Sequence, residues 1–228
     1  TIRQLQQSEL EGMASFLRCA ENVSAEQFHQ YTAHLVQNPA VRNWDWIPVV
    51  PASEKDRFEA SVRAEGSPDF MIWEQDDRGK RSPATGRDYY YPVLYTASGA
   101  QNRAFRGYDI GSTSALRATL KAAASSQLST AIAPLPFANE PKKQRGISVY
   151  HPVFDRNDPT RLRGFAVALL DVHTMLEASA REGSILEQIV LVQPDGKRTV
   201  LAASHTSPSP LPAEPSLIRP VLAFGQVF

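Results

Sequence analysis

The most apolar stretch of the chain is Gly164-Phe-Ala-Val-Ala-Leu-Leu170. Its length constrains what the chain can fold into. A helix that crosses a bilayer needs about 20 consecutive apolar residues, and this run has the length of a strand buried on both faces. Just before it lies Gly146-Ile-Ser-Val-Tyr-His-Pro-Val-Phe154, with the turn-rich Asp155-Arg-Asn-Asp-Pro159 between. Two such strands, with residues 164–172 forming the second, predict the centre of a sheet. No segment is read as a membrane span. The start, Thr1-Ile-Arg-Gln-Leu-Gln-Gln, is polar and amphipathic and is no signal peptide. The chain is therefore expected to be a soluble protein or the excised soluble part of a larger one. The absence of a starting Met favours excision.

Charge narrows the function classes. With 24 Lys+Arg against 24 Asp+Glu in 228 residues, no basic excess exists to displace phosphate counterions, which argues against nucleic acid as a partner. An apolar share of 42% with 21% charged residues excludes bulk disorder and leaves ample material for a core. The single cysteine, Cys19, allows no internal disulfide and no cysteine-based metal centre. His29 and His34 are five apart on a predicted helix, off the i, i+4 spacing of a zinc motif, and no Gly-x-Gly loop is present to cradle phosphate. No cofactor, metal or catalytic residue is expected.

Periodicity predicts three N-terminal helices. The first, to about Cys19, carries a stripe through Leu5, Leu10, Met13 and Leu17. The second opens at Ser24, three residues before Gln27, the spacing of a capping box, and stops at Pro39. The third begins near Ser53. Short strands are then predicted at 70–74, 89–95 and 106–110, followed by a helix led by Ser112-Thr113-Ser114 with Leu116 and Leu120 on one side. After the two central strands come a short helix from Thr174 to Glu182 and a hairpin of 189–193 with 197–201 around Pro194-Asp-Gly. The Pro- and Ser-rich tail from Ser204 to Pro220 reads as loop.

Several landmarks in order resemble the CHASE family, the extracytoplasmic sensor domain of membrane histidine kinases and nucleotide cyclases. They are Asn43-Trp-Asp-Trp-Ile-Pro-Val-Val with the Arg57-Phe58-Glu59 helix, Tyr90-Tyr-Pro-Val-Leu-Tyr95 with Gly107-Tyr-Asp109, Leu128-Ser-Thr130 with Leu135, Gly146 to Phe154, and Gly164 to Asp171. The resemblance covers about residues 25–180. It implies an α+β fold: a long N-terminal stalk helix followed by two PAS-like α/β units, membrane-distal then membrane-proximal. Carried onto this chain, residues 1–66 become the stalk and helices, 67–172 the ligand-binding distal unit and 173–228 the proximal unit. The parent would be anchored in the membrane and paired as a homodimer through its stalk.

The resemblance also implies a site. The family's best-known ligands are cytokinins, N6-substituted adenines. Their backbone contact falls at Leu135 downstream of Thr130, the strand hydroxyl at Tyr150, the aromatic lining at Phe165, and the small floor positions at Val167 and Ala168. Phe70, Tyr91, Ile110 and Ser114 complete the candidate ligand-binding set. One departure stands out. The family's adenine-gripping carboxylate belongs near Ser114–Leu116, yet no Asp or Glu lies between Asp109 and Glu140. That leaves a cytokinin, another flat aromatic molecule or a short peptide as ligand.

Blander readings stand beside these. Tyr150 is equally a core tyrosine, the Tyr89–Tyr91 run alternates across a strand so that only some members face any pocket, and Trp44 and Trp46 pin a helix to a sheet. Asp109 and Asp171 read as caps. Arg57 is a solvated charge or the partner of a buried acid. The leading function is a periplasmic sensor of a histidine kinase. The alternatives are the sensor of a diguanylate cyclase, a dimerising domain without ligand, and a secreted hydrolase.

Overall fold

The computed structural model describes residues 5–20, 22–76, 79–98, 105–136, 145–179, 187–192, 196–203 and 221–227. The predicted tail 204–220, the centre of the hairpin turn, and the end of the 174–182 helix lie outside them. A π-helical turn, Leu5–Leu10, runs into α1 (Glu11–Cys19). α2 (Ala25–Thr32) opens with the expected capping box: the Gln27 N–H donates to Ser24 Oγ at 3.2 Å, and the Ser24 N–H donates to Gln27 Oε1 at 3.0 Å. Next come β1 (Val41–Pro48), β2 (Val50–Pro51), α3 (Lys55–Ala64), β3 (Trp73–Gln75), β4 (Arg81–Pro83), β5 (Tyr89–Tyr90) and β6 (Tyr95–Ser98). The remainder is α4 (Ser114–Ser126), β7 (Thr130–Pro136), β8 (Arg145–Phe154), β9 (Leu162–Asp171), α5 (Val172–Ser179) and four short strands, β10 (Gln188–Val192), β11 (Arg198–Ala203), β12 (Leu222–Ala223) and β13 (Gln226–Val227).

The centre is an antiparallel sheet of five strands in the order β6-β1-β9-β8-β7. β9 pairs along its whole length with β8 on one side and β1 on the other. The long, apolar β9 thus has no edge, as its composition required. A second sheet, β11-β10-β13-β12, is tied to the first where the Ala131 N–H donates to the Phe224 carbonyl at 2.9 Å and Gln226 Nε2 donates to the Ala131 carbonyl at 3.1 Å. The molecule is a mixed α/β domain around a central antiparallel sheet.

Several strand expectations need correction. Residues 70–74 and 106–110 are mostly irregular: only Trp73 onward pairs as a strand, and Tyr108 and Asp109 make isolated bridges to Trp73 and Pro92. The 89–95 stretch is two separate strands, since the Pro92 ring offers no N–H to continue a ladder. β1 and β7 are not among the strands that the sequence predicts.

Alternate residues of the sheet feed two cores. On one face Trp44, Trp46, Ala166, Ala168 and Leu170 meet Leu10, Met13 and Leu17 of the N-terminal helix, together with Leu176 and Phe224. On the other face Ile47, Phe165, Val167 and Tyr150 meet Leu120 and Ala123 of α4. The Trp44 indole N–H donates to the Leu35 carbonyl at 3.3 Å, fixing the turn after α2 to the sheet. The π-helical turn and α1 spend their apolar stripe on their own chain: Leu10 at the end of the turn and Met13 and Leu17 of α1 are fully buried.

β9 and β1 approach so closely at Gly164 that a side chain has no room. A methyl group there would run into the Ile47 carbonyl and meet the Trp46 ring at 2.6 Å. Gly164→Ala is expected to destabilise the domain by about 2–3 kcal/mol, the scale of overpacking in a core. Urea unfolding followed by tryptophan fluorescence measures it.

Candidate functional site

The candidate site is the face of the central sheet that lies under α4. Period-2 alternation and the strand register set which side chains share it. Phe165 and Val167 project from β9, Tyr150 and Ser148 from β8, Thr130 and Ile132 from β7, Asn43, Asp45 and Ile47 from β1, and Thr96 from β6. One row crosses the whole sheet: Thr96, Asp45, Val167, Tyr150 and Thr130 stand opposite one another in turn.

A loop closes one side. Tyr91 packs its ring at 6.0 Å, centroid to centroid, from Phe165. Its position depends on Asp109, whose Oδ1 accepts the N–H groups of Tyr91 at 2.8 Å and Gly111 at 3.0 Å. Asp109 is fully buried, and burial raises its carboxyl, opposed by those N–H groups and by Arg87, 3.2 Å from Oδ2. Arg87 also binds Glu74. Gly111 lets the Tyr91 ring lie close: a Cβ there would meet the ring at 2.7 Å. Asp109 is a cap and a loop anchor, as its place before a helix implied. Asp171 is likewise a cap, its Oδ1 accepting the His173 and Thr174 N–H groups while Arg42 sits 2.7 Å from Oδ2.

The candidate residues divide by face. Tyr91, Ile110, Tyr150, Phe165 and Val167 converge in the cluster under α4. Thr130 is half-buried opposite Tyr150, and Leu135 stands opposite Gly146 on β7. Ala168 points to the other face, where Trp44 is its register partner, because one step along a strand reverses the side. Phe70 also belongs to the main core, edge-on to Phe58 at 6.1 Å. Ser114 is exposed in the first turn of α4, and Thr113 is the N-cap, accepting from the Leu116 N–H at 3.4 Å. Among the tyrosines, Tyr91 faces this cluster, Tyr90 is in the main core and Tyr89 is exposed. Arg57 is exposed, and the buried acid of its helix, Glu59, is held by Lys55 at 3.3 Å and Arg63 at 3.4 Å.

The polar part of the site was missed in the sequence. Asp45 is 9% exposed, and burial drives its carboxyl from 3.8 up to about 7, against the hydrogen bonds of Thr96 and Asn43. The Asn43 amide donates to Oδ2 at 2.6 Å, while Oδ1 is buried without a hydrogen-bond partner among the described residues. Burial also raises the Tyr150 phenol, with Ser148 bonding it and Asp45 adding to the rise. The alternation Trp44-Asp45-Trp46 was the available signal: a polar residue between two large apolar ones in a strand must face a different environment from both.

On the opposite face Ser129 Oγ and His151 Nδ1 are 2.8 Å apart. Ser129 is buried and joins the start of β7 to β8, away from the cluster under α4.

The fold can now be placed among known ones. The periplasmic sensory domain of the Campylobacter jejuni chemoreceptor Tlp1 superposes with a TM-score of 0.51 at 14% identity, over 90% of this chain and 65% of that one. The extracellular domain of mmHK1S-Z3, described as a histidine kinase, gives 0.48 at 10% identity over 88% and 63%. Methyl-accepting chemotaxis protein X gives 0.42 at 13% over 86% and 68%. The chain thus spans less than two thirds of the length of the first two. No curated protein matches its sequence. The fold, a central antiparallel sheet with flanking helices, is similar to that of the Tlp1 sensory domain. The CHASE domain family model matches residues 21–207, and the chain belongs to that family. A CHASE domain senses rather than catalyses, and no helix among the described residues is long and apolar enough to cross a membrane.

Asp45 gives the domain a pH signature. Its folded pKa of about 7 lies above the ordinary 3.8, so the native state holds this proton more tightly than the unfolded chain does. The associated stability is complete below about pH 4 and is lost as the pH rises through about 7. At ~1.4 kcal/mol per unit the loss reaches about 4 kcal/mol. In urea unfolding from pH 4 to pH 8, the wild type should lose stability relative to Asp45→Asn across this window, and the two curves should run parallel above it.

Proposed function

We propose that this chain is the ligand-sensing domain of a membrane-bound sensor histidine kinase and binds a small, flat aromatic molecule on the α4 face of its central sheet. The observation that carries this reading is the separation of the two cores. Ligand sites are mostly apolar with a few placed polar groups. The cluster of Tyr91, Ile110, Phe165, Val167 and Tyr150 is apolar, lies apart from the main core, and is bordered by Asp45, Thr96 and Ser148. Family membership supports the sensory role.

In this reading residues 67–172, with β1 contributed from the segment before them, form the ligand-binding unit, and 173–228 form the membrane-proximal unit. The parent pairs as a homodimer through a stalk continuous with α1. Ligand acts by binding one of two arrangements of these units more tightly than the other, since only a difference in affinity shifts such an equilibrium.

The N6-substituted adenines are the first compounds to try, although the carboxylate near Ser114 that grips adenine in the family's best-known members has no counterpart at that position. Thermal unfolding with isopentenyladenine, zeatin and adenine is expected to show a rise in melting temperature of several degrees for the N6-substituted pair and less for adenine. Equal and negligible shifts for all three would remove the cytokinin assignment.

A further inference from the structure

Asp45 stands apart from the other buried acids. Glu59 has Lys55 and Arg63, Asp109 has Arg87, and Asp171 has Arg42. Asp45 has only the neutral donors Asn43 and Thr96, and its Oδ1 has no partner among the described residues. An unanswered carboxyl oxygen in the interior is costly to keep. A strand position whose only role was packing would be served better by an amide or an apolar side chain.

We propose that Asp45 anchors the ligand, and that the ligand is an aromatic compound bearing a primary amino group. This rests on the reading that the α4 face of the sheet receives a small aromatic molecule, and it names the class of that molecule. Asn43 donates to Oδ2 and Thr96 also bonds the carboxyl, while Oδ1 is a buried acceptor with no hydrogen-bond partner among the described residues. Val167 stands directly opposite Asp45 on β9, and Phe165 lies two residues along the same strand on the same face. Two residues of strand span about 6.6 Å. A ring packed against Phe165 and Tyr91 therefore reaches Oδ1 through a short alkyl tether. A protonated amine supplies the donor that Oδ1 lacks and the positive charge that a buried carboxylate requires. Tyr150, the titratable neighbour on β8, is neutral and provides a hydroxyl beside the same row.

The experiment is calorimetric titration of the wild type and Asp45→Asn with 2-phenylethylamine, 2-phenylethanol and isopentenyladenine. The amine is expected to bind the wild type at least about tenfold more tightly than the alcohol, the scale of a charge-assisted hydrogen bond. Asp45→Asn should lose that preference while melting, without ligand at pH 8, no lower than the wild type. The comparison of amine with alcohol needs only the wild type, so it decides the matter even if the variant does not fold. The proposal is overturned if the wild type binds amine and alcohol alike, if the variant keeps the preference, or if isopentenyladenine binds and the amine does not. That last result leaves the aromatic site standing and removes only the amine. Absence of binding by all three removes both.

Discussion

Everything in this domain depends on β9 being paired on both sides. A strand with neighbours on each edge can satisfy its own backbone, so both of its faces are free to be apolar. Phe165 and Val167 then serve one layer while Ala166, Ala168 and Leu170 serve the other. The N-terminal helix, α5 and the small second sheet stack on the second layer, and α4 covers the first. The division into two cores is a direct product of the two-residue repeat of this one strand.

The buried acids differ in how they are held. Glu59 sits among Lys55 and Arg63, Asp109 beside Arg87 and Asp171 beside Arg42. Asp45 instead has a hydroxyl and an amide as its neighbours among the described residues. Burial without a compensating charge is what lifts Asp45 to about 7. Such arrangements cost stability, and they occur where a protein has a use for the group beyond folding.

Much of this architecture was legible in the residues. The Ser24–Gln27 cap, the paired strands around Asp155-Arg-Asn-Asp-Pro159 and the helix behind Thr113 all follow from local rules that the structure obeys. β1 was not legible, because Asp45 breaks the apolar run and Pro48 and Pro51 read as punctuation. The strand is held instead by its neighbours β6 and β9, a tertiary effect that outweighs local preference. β7 was hidden in the same way by Pro134 and Pro136, and its ladder with β8 is irregular between Ile132 and Leu135. Of the candidate residues, Tyr91, Tyr150, Phe165 and Val167 lie together under α4, and Ala168 lies on the opposite face, because family resemblance follows position along the chain and not the alternation of the strand. Family resemblance does not single out Asp45: its one local mark is its place between Trp44 and Trp46, and its burial beside neutral donors shows only in the structure.

Arg163 lies two residues before Phe165. Its guanidinium donates to the carbonyls of Leu17 and Ala20 at 3.0 and 2.9 Å, at the C-terminal end of α1. Those carbonyls have no partner within the helix, and a cation there also suits the negative end of the helix dipole. One strand therefore bears on the aromatic cluster at Phe165 and grips the helix end at Arg163. Hydrogen-bonded on both edges, this single run of backbone ties the end of the N-terminal helix to the floor of the aromatic cluster.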